Sequence, residues 1–170
     1  MLILVMGVTG SGKTTVGKLL AQRLNFAFLD ADDFHSTANR EKMHRGIPLS
    51  DADRAPWLAA IHAELVRANA TDQSVVLACS ALKQEYRNTL AAGLELTIVL
   101  LRGTVDQLQR NLASRRDHFA GEELVPSQLA TLEEPSGVIV EDIDSAAEQI
   151  VEDICARLKM PGAGKNSDSE

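Results

Sequence analysis

Residues 2–14 read Leu-Ile-Leu-Val-Met-Gly-Val-Thr-Gly-Ser-Gly-Lys-Thr, an apolar run that leads directly into a glycine-rich loop. The loop fits the pattern GxxxxGK[ST], in which glycines allow successive backbone N–H groups to converge on phosphate oxygens. The segment after it has the apolar spacing of a helix, whose positive end would face the same phosphates. Strand, loop and helix therefore stand in the order that a nucleotide-binding loop requires.

Each residue of this phosphate loop (residues 7–14) takes a predicted role. Lys13 would reach the outer phosphates and contribute to catalysis, and the Thr14 hydroxyl would ligate Mg²⁺. The pattern leaves open what the nucleotide is used for, because switches, motors, transporters and metabolite kinases share it. The residues predicted to bind ATP are Gly7, Val8, Thr9, Gly10, Ser11, Gly12, Lys13, Thr14 and Thr15.

The bulk composition restricts the possible partners. The chain has 170 residues, which fits one domain, and a formal net charge of −7, which disfavours binding to nucleic acid or to anionic membranes. Its two cysteines, Cys79 and Cys155, suggest neither a disulfide framework nor a zinc site. The apolar run at residues 2–6 is too short to span a bilayer and lacks the basic flank of a signal peptide. We expect a cytoplasmic protein with no nucleic-acid or membrane partner.

Short apolar runs alternate along the chain with segments of helical spacing. Runs that are continuously apolar are typical of strands buried on both faces of a parallel sheet. Helices are expected to begin after Asp53, at Thr104 with Gln107 three residues later, and after Asp144. The pattern predicts an α/β fold, a doubly wound parallel sheet with helices on both faces. The predicted strands lie at residues 2–6, 26–29, 75–78, 97–101 and 138–140.

Two segments interrupt this alternation. Residues 31–50 are polar with a short helical piece near residues 39–44, and residues 116–136 are mixed in character with two prolines. Insertions of this length in a compact domain are more often lids and substrate loops than filler. Residues 160–170 lack an apolar anchor and are predicted to be a disordered tail. We therefore expect one domain over residues 1–159 with a lid at about residues 116–136.

Carboxylates follow the second apolar run. Asp30, Asp32 and Asp33 would lie at the carboxyl edge of the sheet, beside the phosphate loop. A kinase that phosphorylates a hydroxyl needs one acidic group to orient that hydroxyl and accept its proton, and another to help hold Mg²⁺. The alternative interpretation is an acidic, solvated turn that caps a helix.

Three longer motifs extend this pattern. They read Asn-Arg-Glu-Lys-Met-His-Arg-Gly-Ile-Pro-Leu-Ser-Asp-Ala-Asp-Arg-Ala-Pro-Trp-Leu at residues 39–58, Cys-Ser-Ala-Leu-Lys-Gln-Glu-Tyr-Arg at 79–87 and Ser-Gln-Leu-Ala-Thr-Leu-Glu-Glu-Pro at 127–135. Together with Asp-Ala-Asp-Asp-Phe-His at 30–35, they closely resemble the gluconokinase family. The resemblance runs over about residues 2–158.

The resemblance implies a three-layer α/β/α P-loop kinase fold with a central parallel sheet and a mobile lid. It implies transfer of the γ-phosphoryl group of ATP to the 6-hydroxyl of D-gluconate, with ATP and Mg²⁺ as cofactors. The sugar acid would be the small-molecule partner, and the resemblance leans towards a homodimer.

The resemblance also assigns roles to individual residues. Asp32 would orient and deprotonate the hydroxyl, Lys13 and Arg115 would stabilise the transferring phosphoryl group, and Thr14 and Asp30 would hold the metal. Spacing alone leaves open which of Asp30 and Asp32 accepts the proton. The residues implied to bind the substrate are Asp32, His35, Lys42, Arg54, Lys83, Arg87 and His118.

The chain departs from the family pattern in two places. Arg116 and Asp117 stand where relatives commonly have Lys-Gly, and Asn111 stands where many have an arginine. The first change alters the charge of the expected lid, and the second alters an expected nucleotide contact. Two alternatives remain: a shikimate or nucleoside monophosphate kinase, which does not typically carry the motif at residues 39–58, and a nucleotide-dependent switch without an acceptor substrate.

Overall fold

The computed structural model describes residues 1–113 and 124–158. Within these ranges the chain forms five strands and seven α-helices that alternate along most of the sequence. The strands are β1 (Leu2–Met6), β2 (Ala27–Asp30), β3 (Val75–Ala78), β4 (Leu96–Arg102) and β5 (Ile139–Asp142). The helices are α1 (Lys13–Leu24), α2 (Thr37–His44), α3 (Asp51–Ala70), α4 (Gln84–Ala91), α5 (Val105–Ala113), α6 (Leu124–Thr131) and α7 (Ala147–Arg157).

The strands form one parallel sheet in the order β2-β3-β1-β4-β5. β1 lies in the centre, with Leu4 opposite Leu77 of β3 on one side and Ile98 of β4 on the other. Every residue of β1 and of β3 is buried, which explains why these strands are continuously apolar. In this order only β3 separates β1 from β2, so the phosphate loop at the end of β1 lies near the end of β2.

Each face of the sheet carries its own core. Alternate residues of β1 point to opposite faces, so that Leu4 joins α3 and α4 in one core whereas Ile3 joins α1 and α7 in the other. Ile61 of α3 and Ile154 of α7 are fully buried in these two cores. The three-layer α/β/α arrangement expected from the sequence is thus confirmed.

The helix starts agree with the sequence in one case and differ in two. Thr104 and Gln107 exchange backbone-to-side-chain hydrogen bonds of 2.8 and 3.3 Å at the start of α5, as expected. α3 begins three residues earlier than expected, because Ser50 rather than Asp53 is the N-cap. α7 begins at Ala147 without a side-chain cap, so the start expected after Asp144 is wrong by two residues.

The expected insertions differ in how much of them the structure describes. The first contains a 3₁₀ turn (Ala31–Phe34) and α2, which confirms the short helix near residues 39–44. Of the second, residues 124–136 are described and contain α6. Residues 116–123 of the expected lid and the expected tail at residues 160–170 lie outside the described residues. Within the described part, no helix is long and apolar enough to cross a membrane.

Candidate functional site

The phosphate loop joins β1 to α1 through two glycines with left-handed backbone. Gly10 has φ of +80°, and a Cβ there would lie 2.6 Å from the carbonyl oxygen of Leu108. Gly12 has φ of +87° and is the N-cap of α1, with open space where a Cβ would stand. L-residues with side chains rarely adopt this backbone, so both positions require glycine. Lys13, the first residue of α1, folds back and donates to the carbonyl oxygen of Val8 at 3.0 Å.

The end of β2 brings the two expected metal ligands together. Thr14 Oγ1 donates to Asp30 Oδ2 at 2.9 Å, although the residues are sixteen positions apart. The other oxygen, Asp30 Oδ1, accepts the backbone N–H of Asp32 at 3.1 Å and so caps the 3₁₀ turn. Asp30 therefore links the phosphate loop to the segment that carries Asp32.

Asp32 lies in an environment that favours its neutral form. Its side chain reaches solvent, but the surrounding protein removes part of the water around the carboxylate. This loss of solvation, followed by the nearby charge of Asp30, raises the pKa of Asp32, and Lys13 acts in the opposite direction. A carboxylate that binds a proton more readily than usual, beside a phosphate-binding lysine, is suited to accept a proton from a hydroxyl.

His35 forms one wall beside Asp32. Its ring stacks on Trp57 with a centroid separation of 4.6 Å and an interplanar angle of 6°. Trp57 Nε1 donates to the carbonyl oxygen of Ala31 at 2.7 Å, which anchors the 3₁₀ turn to α3. Burial lowers the pKa of His35 below its ordinary value, Arg40 and Arg54 act in the same direction, and Asp32 opposes them. His35 Nδ1 is buried without a hydrogen-bond partner among the described residues, so a polar ligand atom is a suitable partner for it.

Lys42 has a partner within the protein. Its Nζ lies 2.6 Å from Asp53 Oδ1, and Asp53 Oδ2 accepts from the backbone N–H and the hydroxyl of Ser50. These contacts lower the pKa of Asp53 to about 2, and the hydrogen bond from Lys42 has the largest effect. Asn39 donates to the Asp53 carbonyl oxygen at 2.8 Å, so α2 is fixed to the start of α3. Lys42 thus helps to hold α2 against α3, and its expected contact with the substrate stays a prediction.

Arg54 and Lys83 converge on a carboxylate that the sequence did not single out, Asp51. Lys83 Nζ lies 2.9 and 3.0 Å from the two Asp51 oxygens, Arg54 Nη1 lies 3.6 Å from Oδ1, and the Tyr86 hydroxyl donates to Oδ1. Lys83 first and then Tyr86 lower the pKa of Asp51, and Asp51 in turn raises that of Lys83. Both cations lie over the Tyr86 ring, at 5.8 and 5.3 Å from its centroid. A substrate carboxylate that binds these cations must share them with Asp51.

Arg87 makes buried contacts that the sequence did not predict. It is 1% exposed, and its guanidinium donates to three carbonyl oxygens, Ala81, Leu82 and Glu133, at 2.8, 3.0 and 2.7 Å. A fourth bond of 2.8 Å goes to Gln84 Oε1. Arg87 therefore fastens the segment after β3 to the segment after α6, and its expected contact with the substrate stays a prediction.

Two expected site residues lie outside the described residues, Arg115 of the catalytic set and His118 of the substrate set. The departures at Arg116 and Asp117 lie there as well.

A cavity of about 310 Å³ lies beside the phosphate loop, on the side of α7. Its position next to the loop suits the rest of a nucleotide whose phosphates the loop holds. Asn111 lines it and donates through Nδ2 to the Gly10 carbonyl oxygen at 2.9 Å. Sequence reasoning missed the four lining residues that follow β5, because that segment carries no phosphate-loop motif. The lining comprises Gly10, Ser11, Gly12, Thr15, Val16, Asn111, Ile143, Ser145, Ala147 and Ile150.

The residues present fit ATP and Mg²⁺. The Ser11 hydroxyl is buried without a partner among the described residues, and the space at Gly12 is open, as a phosphate cradle requires. The Thr14 hydroxyl and the Asp30 carboxylate supply the oxygen ligands that Mg²⁺ prefers. No group of three or more His, Cys, Asp or Glu side chains within residues 1–113 and 124–158 could hold a metal. Mg²⁺ commonly completes its shell with phosphate oxygens and water, so this small donor set is sufficient.

Sequence comparison places the chain among small-molecule kinases. A family model described as shikimate kinase matches residues 9–159. A probable gluconokinase of Xenopus tropicalis is 43% identical over 173 aligned residues and covers 91% of each chain. The thermoresistant gluconokinase of Escherichia coli K12 is 40% identical over 152 residues, which cover 86% of this chain and 87% of that protein.

Solved structures agree with these relatives. A gluconokinase from Sinorhizobium meliloti 1021 superimposes with a TM-score of 0.81 at 40% identity, over 91% of this chain and 89% of that one. A shikimate kinase from Bacteroides thetaiotaomicron has a TM-score of 0.68 at 20% identity, over 94% and 99% of the two chains, and shows likeness of fold alone. The three-layer α/β/α arrangement with its phosphate loop is thus the P-loop kinase fold.

Proposed function

The chain belongs to the shikimate kinase family and, within it, to the gluconokinases, and on that premise we propose that it transfers the γ-phosphoryl group of ATP to the 6-hydroxyl of D-gluconate. The products are 6-phospho-D-gluconate and ADP. The observation that carries the proposal is the chain of contacts from Thr14 through Asp30 to Asp32, which joins the phosphate loop to a proton acceptor.

On the nucleotide side, the phosphate loop binds and orients ATP. The N–H groups that precede α1 and the Ser11 hydroxyl donate to phosphate oxygens, and Lys13 exchanges its bond to the Val8 carbonyl for the outer phosphates. The cavity on the α7 side takes the nucleoside. Mg²⁺ held by Thr14 and Asp30 would supply neutralisation of the phosphate charge.

On the acceptor side, Asp32 orients the 6-hydroxyl and accepts its proton while the oxygen attacks the phosphorus. Its raised pKa favours this proton transfer. Asp30 already accepts hydrogen bonds from the Thr14 hydroxyl and the Asp32 backbone N–H, so Asp32 is the better placed acceptor. The ring of His35, held flat against Trp57, presents a polar edge to the sugar acid.

The carboxylate of gluconate is proposed to bind at Arg54 and Lys83, which share Asp51 and Tyr86. A planar guanidinium and an ammonium close together match one carboxylate. We retain Arg115 as a proposed cation for the transferring phosphoryl group and His118 as a proposed substrate contact, on the family resemblance alone. A mobile lid, a homodimer and a cytoplasmic location are likewise proposals that rest on this resemblance.

The test is ADP release by the purified protein with ATP and Mg²⁺ across a panel of acceptors: D-gluconate, other aldonates, shikimate and nucleoside monophosphates. We expect strong selectivity for gluconate. Turnover with shikimate or a nucleoside monophosphate instead would move the function to those kinases, and equal slow hydrolysis with every acceptor would favour a nucleotide switch.

A further inference from the structure

Two amide side chains hold adjacent residues of the phosphate loop. The Thr9 backbone N–H donates to Gln128 Oε1 of α6 at 2.7 Å, and the Gly10 carbonyl accepts from Asn111 Nδ2 of α5 at 2.9 Å. The partners are 119 and 101 positions apart in the sequence. Residues 9 and 10 of the loop are therefore held by two helices, α5 and α6, that are distant from the loop in sequence.

Apolar packing also holds the phosphate loop against α5 and α6. Val8 is buried in a small third core with Leu108 and Leu112 of α5 and Val125 of α6. The carbonyl oxygen of Leu108 leaves no room for a side chain at Gly10, since a Cβ there would approach within 2.6 Å. The loop thus lies directly against α5, and α6 lies on the same core.

α6 is itself fastened to the body of the domain. Glu133, just after α6, accepts the Gln84 N–H with Oε2 at 2.6 Å, and its own N–H donates to the Leu82 carbonyl at 2.9 Å. Its carbonyl oxygen accepts from the buried Arg87. These bonds anchor the chain directly after α6, the helix from which Gln128 presents its amide to Thr9.

We propose that Gln128 is a positioning residue for phosphoryl transfer, which sets the path of the phosphate loop by accepting the Thr9 N–H. The inference deepens the proposed function and rests on it for the identity of the acceptor. Transfer depends on donors that are already aimed at the transferring group, so a loop that loses this support should react more slowly while it still binds ATP. In this proposal Gln128 acts only by holding the Thr9 N–H in place, and it does not contact a reacting atom.

The test compares three variants. Gln128→Met keeps the length of the side chain and removes the acceptor, whereas Gln128→Glu keeps an acceptor and adds a negative charge near the phosphates. Gln22→Met is the matched control, because Gln22 is exposed on α1 away from the loop. The readouts are kcat, the KM values for ATP and gluconate, the melting temperature, and the ¹H–¹⁵N signal and exchange rate of the Thr9 amide.

We expect Gln128→Met to lower kcat about fivefold to tenfold, as loss of one hydrogen bond of ordinary strength implies, with the KM for gluconate unchanged. Its Thr9 amide should exchange faster, and its melting temperature should stay within a few degrees of the parent. Gln128→Glu should retain kcat and raise the KM for ATP, and Gln22→Met should match the parent.

A Gln128→Met protein with parental kcat and parental Thr9 exchange would overturn the inference. So would a loss of kcat in both Gln128 variants that follows a loss of melting temperature, because that pattern indicates a structural contact only. Failure of the proposed function is a separate result: the parent protein would not phosphorylate gluconate, while the Thr9 amide would still report the loop contact.

Discussion

Replacement of Arg87 by methionine separates a structural role from a substrate-binding one. The change removes the guanidinium from three carbonyl oxygens, Ala81, Leu82 and Glu133, in a site that is 1% exposed. The Leu82 oxygen keeps the Glu133 N–H as a donor. Each buried acceptor left without a partner costs about 1–3 kcal/mol, so the loss at Ala81 and Glu133 amounts to about 2–6 kcal/mol. For a domain of this size, that corresponds to a decrease in melting temperature on the order of 10 °C.

The assay is urea unfolding followed by circular dichroism, together with steady-state kinetics on the protein that remains folded. We expect Arg87→Met to lose stability and to keep the KM for gluconate. Arg54→Met is the matched control, since the Arg54 side chain is 32% exposed and faces Asp51, and we expect the reverse pattern from it. An Arg87→Met protein of parental stability with a raised KM for gluconate would refute the structural assignment.

Three further predictions concern charges with shifted pKa values and the single tryptophan. Because the pKa of Asp53 is lowered to about 2, its contribution to stability is present above its ordinary value of 3.8 and is lost towards pH 2; the melting temperatures of Asp53→Asn and the parent should therefore differ at pH 7 and converge at low pH. Protonated imidazole quenches indole emission, and His35 stacks on Trp57. Because burial lowers the pKa of His35, Trp57 fluorescence should decrease as the pH is lowered, with a midpoint below pH 6.5. The variant His35→Gln should not show this decrease. Burial raises the pKa of Glu141, so its carboxyl contributes less to stability as pH rises; Glu141→Gln should melt higher than the parent at pH 8, and an equal or lower value would contradict this.

The parts of the fold that the sequence predicts well are those governed by local rules. Continuous apolar runs predict the strands because both faces of the sheet are covered, and β3 has the predicted bounds. The phosphate loop is recognisable because glycine is strongly favoured where the backbone is left-handed, as at Gly10 and Gly12. The pairing of Thr14 with Asp30 follows from the loop motif, from the carboxylate at the end of a strand, and from the sheet order.

The parts that the sequence does not predict depend on competition between similar residues. Ser50 and Asp53 are both good N-caps, and only the three-dimensional path shows that Ser50 caps while Asp53 closes the capping box. Arg87 and Arg54 are the same residue type in neighbouring motifs, and burial alone separates a carbonyl-binding arginine from an exposed one. The role of Asp51 was missed because its hydrogen-bond partners Lys83 and Tyr86 lie more than thirty positions away.

We propose that this chain phosphorylates the 6-hydroxyl of D-gluconate with Asp32 as the proton acceptor. The most direct measurement follows the reaction of ATP and gluconate by ³¹P NMR for the parent protein, for Asp32→Asn, and for Asp33→Asn as the neighbouring control. We expect a phosphomonoester signal on C6 of gluconate from the parent and from Asp33→Asn, and a rate lowered by about 10²–10⁴ in Asp32→Asn, the usual contribution of a positioned base. Absence of that signal from the parent, or a parental rate in Asp32→Asn, would contradict the account.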